Sequence, residues 1–293
     1  MKINKHERIK VIWRFIDGKA GHDKQSLALV QSLKNQTRCR IFDINVQGQR
    51  NPILNIIFKN YKLPIGTTKP DIAIGTGHKT HLHLLAVKRR FKAKIIVIMK
   101  PSLPLNFFDL CIISRHDGVK SRPNIFTTQT TLVNFNSNIK KKENVGLFMI
   151  GGPSKHYYWD TKYVLQQIKN ISKKFKLKKF LLTTSRRTPL SFISELNNSE
   201  LNNLQIFEYS KIEDGWLDKN INRVKNIWVT NDSYSMIIEA IASGAHTNLI
   251  DLRIKIDSKL TKEINIVKEK LSKKLPIQNE AKRVAEFIDQ LWF

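Results

Sequence analysis

Cysteine is nearly absent, with only Cys39 and Cys111 in 293 residues. Both fall in strand-like segments without metal-type spacing, which argues against a disulfide scaffold or a cysteine-bound metal; they read as reduced core residues. Long apolar runs are missing as well. None approaches the ~20 residues that a membrane-spanning helix needs. The charged start, Met1-Lys2-Ile3-Asn4-Lys5-His6-Glu7-Arg8, leaves no room for a signal peptide's apolar segment, so the expected location is the cytoplasm. Acidic residues are scarce: 24 Asp+Glu face 51 Lys+Arg, a net charge of +27. Such a surplus favours an anionic partner, whether nucleic acid, anionic lipid headgroups or a phosphorylated substrate. Compositional drift toward lysine is the competing explanation.

What is present is a globular composition, 41% hydrophobic, long enough for two domains. Strand and helix signals alternate along it, as parallel sheets with crossover helices require. The first apolar run, Val11 to Ile16, leads into Asp17-Gly18-Lys19-Ala20-Gly21-His22 and then a helical pattern from Ser26 to Leu33. This loop sits at a strand's carboxyl end, where open α/β sheets bind ligands and where the next helix offers unpaired N–H groups. His22 can exchange a proton near neutral pH. An ordinary tight turn with a surface histidine is the alternative.

The segment Pro52 to Lys62 interleaves apolar residues with lysines. As a helix it reads first as core packing, with membrane contact through Leu54, Ile57, Phe58 and Tyr61 as the alternative. A second strand and glycine turn, Ile72-Ala73-Ile74-Gly75-Thr76-Gly77-His78, precedes a helix from Lys79 to Arg90. His78 and His81 share helical spacing, but no carboxylate or cysteine completes a metal set. Strands are expected at 94–99, ending in Lys100-Pro101-Ser102-Leu103-Pro104, and at 109–114.

The polar stretch 134–144 reads as an interdomain linker, with domains at 1–138 and 145–278 and an amphipathic helix over 279–293 that packs back across the boundary. The alternation restarts at Gly146 to Ile150, turning at Gly151-Gly152-Pro153. Another strand, 179–184, ends in Ser185-Arg186-Arg187-Thr188-Pro189. Further strands are expected at 204–209 and 226–230, the latter followed by Asn231-Asp232-Ser233, able to cap a helix that carries Ser235 and Glu239. Glycines for close approach, two arginines for phosphate oxygens, a helix amino terminus and Glu239 for a sugar hydroxyl outline a diphosphate site. Each has a bland counterpart: a plain turn, a solvated arginine pair, an exposed glutamate.

Taken together, Asp17-Gly18-Lys19-Ala20-Gly21-His22, Gly75-Thr76-Gly77-His78-Lys79-Thr80-His81, Pro101 to Pro104, Phe108-Asp109-Leu110, Gly151 to Lys155, Leu182 to Pro189 and Asp232 to Ala240 resemble the mitochondrial fission ELM-type family of glycosyltransferase-like proteins. The resemblance runs from Trp13 to Gly244. It implies a GT-B fold, two Rossmann-like doubly wound domains facing each other across a cleft, with the acceptor mainly on the first and the sugar nucleotide mainly on the second. Lys19 and Ala20 depart from the family's Arg-Pro, Asn231 stands where an acidic residue is common, and Asp214-Gly215-Trp216-Leu217 replaces an Asn-Pro-Tyr segment. The implied reaction moves a sugar from a nucleotide-sugar donor to a hydroxyl of a glycan, lipid-linked or lipopolysaccharide-type acceptor.

Within that scheme His22, or else Asp17, takes the acceptor's proton. Lys155, Arg186, Arg187 and the N–H groups of Gly152 and Ser233 meet the departing diphosphate, so neither metal nor cofactor is expected. Gly151, Ser154, Ser185, Asp232, Ser235 and Glu239 complete the donor side; Gly21, Gly77, His78, Lys79, Pro101 and Ser102 form the acceptor side. Lys59, Lys62, Lys88, Arg89, Arg90, Lys92 and Lys94 would hold the acceptor domain on an anionic membrane surface. A nucleic-acid-binding protein would share the charge, but no RNP, KH, helix-turn-helix or zinc-finger pattern appears, so no nucleic acid is expected. A non-catalytic scaffold on the same fold is the remaining alternative.

Overall fold

A computed structural model of the chain describes residues 8–47, 52–135, 143–199, 201–213 and 215–293. The expected linker falls largely outside these residues, as does Asp214. In chain order the elements are β1 (Lys10–Ile16), α1 (Ala20–Lys34), β2 (Cys39–Asn45), α2 (Pro52–Ile57), β3 (Ile72–Thr76), α3 (His78–Phe91), β4 (Lys94–Ile98), β5 (Leu110–Ser114) and β6 (Ile125–Thr128). They continue with β7 (Glu143–Met149), α4 (Thr161–Lys174), β8 (Lys179–Thr183), α5 (Leu190–Asn197), β9 (Leu204–Phe207), α6 (Trp216–Ile221), β10 (Val224–Thr230), α7 (Tyr234–Ala242), β11 (His246–Ile250), α8 (Lys259–Ser272) and α9 (Glu280–Trp292).

Two compact units result, one from residues up to Asn134 with Gln278–Phe293, the other from Phe135–Ile277. The first holds a six-stranded sheet ordered β2-β1-β3-β4-β5-β6, all parallel. Its inner strands β1, β3, β4 and β5 are buried on both faces, which is why β3 and β4 read as largely apolar runs, while the edge strands β2 and β6 bury one residue each. On one face Ile12, Ile74, Ile96 and Ile112 pack against Leu29 and Leu33 of α1 and Val284 and Ile288 of α9. On the other, Trp13, Phe15, Ala73 and Val97 meet Leu84 and Val87 of α3. Glu280, its side chain fully buried, accepts from the Gln129 N–H at 2.9 Å and from Arg283, pinning α9 beside the end of β6.

The second unit holds a five-stranded parallel sheet ordered β11-β10-β7-β8-β9. Phe148, Phe180, Phe175 and Trp228 form an aromatic cluster on it, with Phe148 and Phe180 stacked at 5.3 Å. Both units are thus doubly wound, with the strand order reversing between β1 and β3 in the first and between β7 and β10 in the second. Reversal parts the two flanking loops and leaves a crevice at the strands' carboxyl ends.

One expectation is corrected. α2 does not pack into the core: none of its residues is buried, and Ile53, Leu54, Ile57 and Phe58 lie on the surface. Only Ile56 touches the core, while Tyr61 beyond the helix is buried against Trp13 and Phe15. Six residues are too short to present a continuous apolar stripe inward.

Candidate functional site

In the first unit β1 delivers Asp17 to the reversal point. Gly18 turns the chain with φ +77°, and α1 begins after Lys19. The Asp17 carboxylate is wholly buried. Oδ1 accepts from the Lys19 N–H at 3.0 Å, and Oδ2 lies 2.9 Å from His22 Nδ1. An ionised carboxylate can only accept, so in the neutral ring Nδ1 carries the proton and Nε2 is the nitrogen with the lone pair. The His22 side chain stays 17% exposed, enough to meet a substrate. Its ring lies against Gly77 of the neighbouring turn: a Cβ there would come within 2.3 Å of His22 Cε1, and Gly77 itself has φ +78°. Gln47 Nε2 donates to the Asp17 carbonyl at 3.0 Å.

Arg14, a charged residue within an otherwise apolar strand, holds this arrangement from below. Its side chain is buried, pairs with Asp43 through Nε and Nη2, and donates from Nη1 to the Asp23 carbonyl in the first turn of α1. The lone arginine in a buried run was the available sequence signal, and it passed unread.

His78 and Lys79 are exposed at the start of α3, and Gly21 is exposed at the start of α1. Pro101 is buried and Ser102 exposed beyond β4, where Met99 holds a left-handed φ of +73° that an unbranched side chain adopts only under strain. Ser102 Oγ lies 3.4 Å from His81 Nδ1, linking this loop to α3. His81 is thereby turned inward, away from the exposed His78, and burial followed by the His78 charge lowers its pKa to about 4. As pH falls from 6.5 towards 4 the unfolded chain takes up a proton that folded His81 refuses, so stability should fall by at most roughly 3 kcal/mol. Urea unfolding across that range should show a shallower loss for His81→Gln than for the wild type.

In the second unit three loops meet where the sheet reverses. Asp232, beyond β10, has a fully buried side chain: Oδ2 accepts from Arg187 Nη2 at 2.6 Å and from the Gly152 N–H at 3.2 Å. Arg187 Nη1 also donates to the carbonyls of Gly152 and Pro153. Thr230 Oγ1 takes the Gly151 N–H at 2.7 Å, and Thr188 Oγ1 accepts from the Ser185 N–H while donating to the Gly151 carbonyl at 2.6 Å. A Cβ on Gly152 would lie 2.1 Å from the Arg187 carbonyl oxygen, and one on Gly151 2.2 Å from Asp232 Oδ1. The glycines, expected to admit a ligand, admit the protein's own loops instead.

Several donor-side residues therefore have different duties from those expected. The Gly152 N–H is spent on Asp232, Arg187 binds loop carbonyls, and Ser154 Oγ accepts from the N–H groups of His156 and Tyr157. Arg186 lies over the Tyr209 ring at 5.9 Å, Lys155 and Ser235 are exposed, and Glu239 is half-buried on α7. Ser233 occupies the N-cap position of α7 without a side-chain cap bond. α1 and α3 likewise lack side-chain caps, whereas α4, α8 and α9 are capped by Asp160, Ser258 and Asn279. Of the helices that follow the strands at the reversal points, α1, α3 and α7 thus keep their positive ends for other groups, while α4, after β7, does not. Asp232 Oδ1 and the Tyr157 hydroxyl are buried without a hydrogen-bond partner among the described residues. Burial first, then the Asp232 and Asp251 charges, push the Tyr157 hydroxyl up to about 12. Such polar atoms are what a bound hydroxyl satisfies.

Thr188, Thr230 and Gln47 join Arg14 as residues that sequence reading overlooked; a lone hydroxyl or amide beside a glycine turn carries no distinctive signal. Among the described residues no three His, Cys, Asp or Glu side chains come together as a metal site, and no helix is long and apolar enough to cross a membrane.

Comparison with solved structures finds the same fold at low identity. A UDP-N-acetylglucosamine 2-epimerase matches with a TM-score of 0.52 at 13% identity, covering 97% of both chains. The ADP-heptose lipopolysaccharide heptosyltransferase II of E. coli matches with a TM-score of 0.50 at 10% identity, over 91% of this chain and 99% of that one. The architecture is GT-B. An uncharacterized protein of Rickettsia prowazekii, RP120, is 24% identical over 94% of this chain and 97% of its own. The family pattern described as mitochondrial fission ELM1 matches residues 20–291, and with the glycine turns it spans, this chain belongs to that family.

Proposed function

We propose that the protein transfers a sugar from a nucleotide-activated donor to a hydroxyl of a lipid-linked or lipopolysaccharide-type acceptor. The observation that carries this reading is the Asp17–His22 pair: a buried carboxylate aligning a partly exposed imidazole, with its free nitrogen on the far side. A scaffold has no use for a polarised histidine at a sheet's reversal point; a transferase needs one as base. His22 Nε2 takes the acceptor proton as the hydroxyl oxygen attacks the anomeric carbon, and Asp17 steadies the imidazolium that forms. Gly21, Gly77, His78, Lys79, Pro101 and Ser102 border the acceptor.

On the donor side the open amino end of α7, with Arg186 and Lys155, supplies positive charge to the departing diphosphate, so that charge needs no metal ion. Arg187 and Ser185 keep the loop in shape. Glu239 accepts hydrogen bonds from donor hydroxyls, while the buried Asp232 holds Arg187 and the Gly152 N–H in place. Both solved neighbours are named for nucleotide sugars, one UDP-linked and one ADP-linked, which supports a donor of this class.

Thermal unfolding with a panel of nucleoside diphosphates and sugar nucleotides tests the reading. At a hundred times its dissociation constant, the right nucleotide adds about 2.7 kcal/mol of stability. Arg186→Ala should weaken that response without lowering the ligand-free melting temperature. If no nucleotide stabilises the protein at millimolar concentration, the reading fails.

A further inference from the structure

The segment between β2 and β3 carries apolar surface that folding does not use. Ile53, Leu54, Ile57 and Leu63 are each about half exposed, Phe58 is 70% exposed, and Ile65 is fully so. The backbone beneath them is well held. Ile56 packs on the core, Tyr61 is 4% exposed among Trp13, Phe15 and His83, and Lys59 takes a left-handed φ of +52° as α2 ends. Pro64-Ile65-Gly66-Thr67 forms a tight turn closed by the Thr67 N–H to the Pro64 carbonyl at 3.0 Å, with Gly66 at φ +76°. Turn tips are ordinarily polar, yet this one presents an isoleucine to water.

Charge identifies what covers it. No aspartate or glutamate occurs between Asp43 and Asp71, while Lys59, Lys62 and Lys69 are all exposed. Apolar side chains standing clear of the surface, with ammonium groups among them, suit a medium that closes around each protrusion and carries a plane of negative charge. A folded protein partner would need a matching socket for each side chain.

We infer that residues 53–65 are a membrane-docking element that inserts Ile57, Phe58 and Ile65 into the interface of an anionic bilayer while Lys59 and Lys62 bind its phosphates. The element deepens the proposed reaction and rests on it for its purpose. Gln47, which holds the Asp17 carbonyl, is six residues from Ile53, so at most about 20 Å of chain separates the His22 site from the docking surface. A lipid-linked acceptor can keep its tail in the bilayer and bring its hydroxyl to His22.

Sedimentation of the full chain with vesicles of phosphatidylcholine alone, and of phosphatidylcholine mixed with phosphatidylglycerol, tests this. Binding should favour the anionic vesicles. It should weaken about tenfold or more in Ile57→Ser/Phe58→Ser/Ile65→Ser, and similarly in Lys59→Glu/Lys62→Glu, with melting temperatures unchanged because every altered side chain is exposed. A Phe58→Trp variant should shift its emission to the blue on binding. Undiminished binding by the apolar variant would assign the attraction to basic surface elsewhere and overturn the proposal. So would indifference to both vesicles, or a wild-type oligomer that the apolar variant dissolves. Nucleotide stabilisation measured on the same samples separates the two readings. Its loss with vesicle binding intact counts against the transferase, and the converse counts against the docking element.

Discussion

His22→Ala should lower sugar transfer by two to four orders of magnitude, the usual contribution of a positioned general base. The rate can be followed as nucleoside diphosphate released from whichever sugar nucleotide stabilises the protein. The loss belongs in kcat, since the imidazole is asked to act on the transition state rather than to hold the donor. Asp17→Asn is the sharper test. An asparagine can donate through its amide to Nδ1, which moves the ring proton to Nε2 and removes the base while the ring stays in place. That variant should lose nearly as much activity as His22→Ala and should still be stabilised by the donor nucleotide. Should His22→Ala keep activity within twofold of the wild type, the proton goes elsewhere and the mechanism is wrong.

Arg187→Ala should destabilise the protein by about 3 kcal/mol, because it strands the wholly buried Asp232 carboxylate with the Gly152 N–H as its remaining donor. Arginine's own partial exposure keeps the figure at the low end of the range for broken buried pairs. The expected fall in melting temperature is roughly 10 °C. Adding Asp232→Asn should return much of the stability, since the stranded charge is gone; a double-mutant cycle in denaturant measures that coupling. Additive losses would mean that the pair does not hold the loops together. Had Arg187 been a simple phosphate ligand, its removal would leave the unliganded protein as stable as before, so the two roles separate in one experiment.

How much of this was legible beforehand follows from the range of the forces involved. β3 and β4 announce themselves because strands buried on both faces must be apolar throughout. β11, at a sheet edge, reads His246-Thr247-Asn248-Leu249-Ile250 and offers no such run, and the four-residue β6 is equally quiet. The glycine turns after β1, β3 and β7 were visible as punctuation between apolar runs and helical patterns. Their use was not. Gly77 is small because His22 lies on it, and Gly152 is small because the Arg187 backbone crosses it; both are contacts between loops far apart in the chain.

The alternation of strand and helix, the two doubly wound sheets, the candidate base and the basic surplus are thus determined by the sequence itself, through local patterns of apolarity, turn residues and charge. Tertiary structure alone decided that Asp17 is the partner of His22, that Arg187 serves Asp232 and the loop carbonyls, and that Ile53, Leu54 and Ile57 of α2 face outward. A residue's type sets which interactions it can make, but its partners are chosen by which strands lie side by side, and that order is fixed only when the sheet assembles.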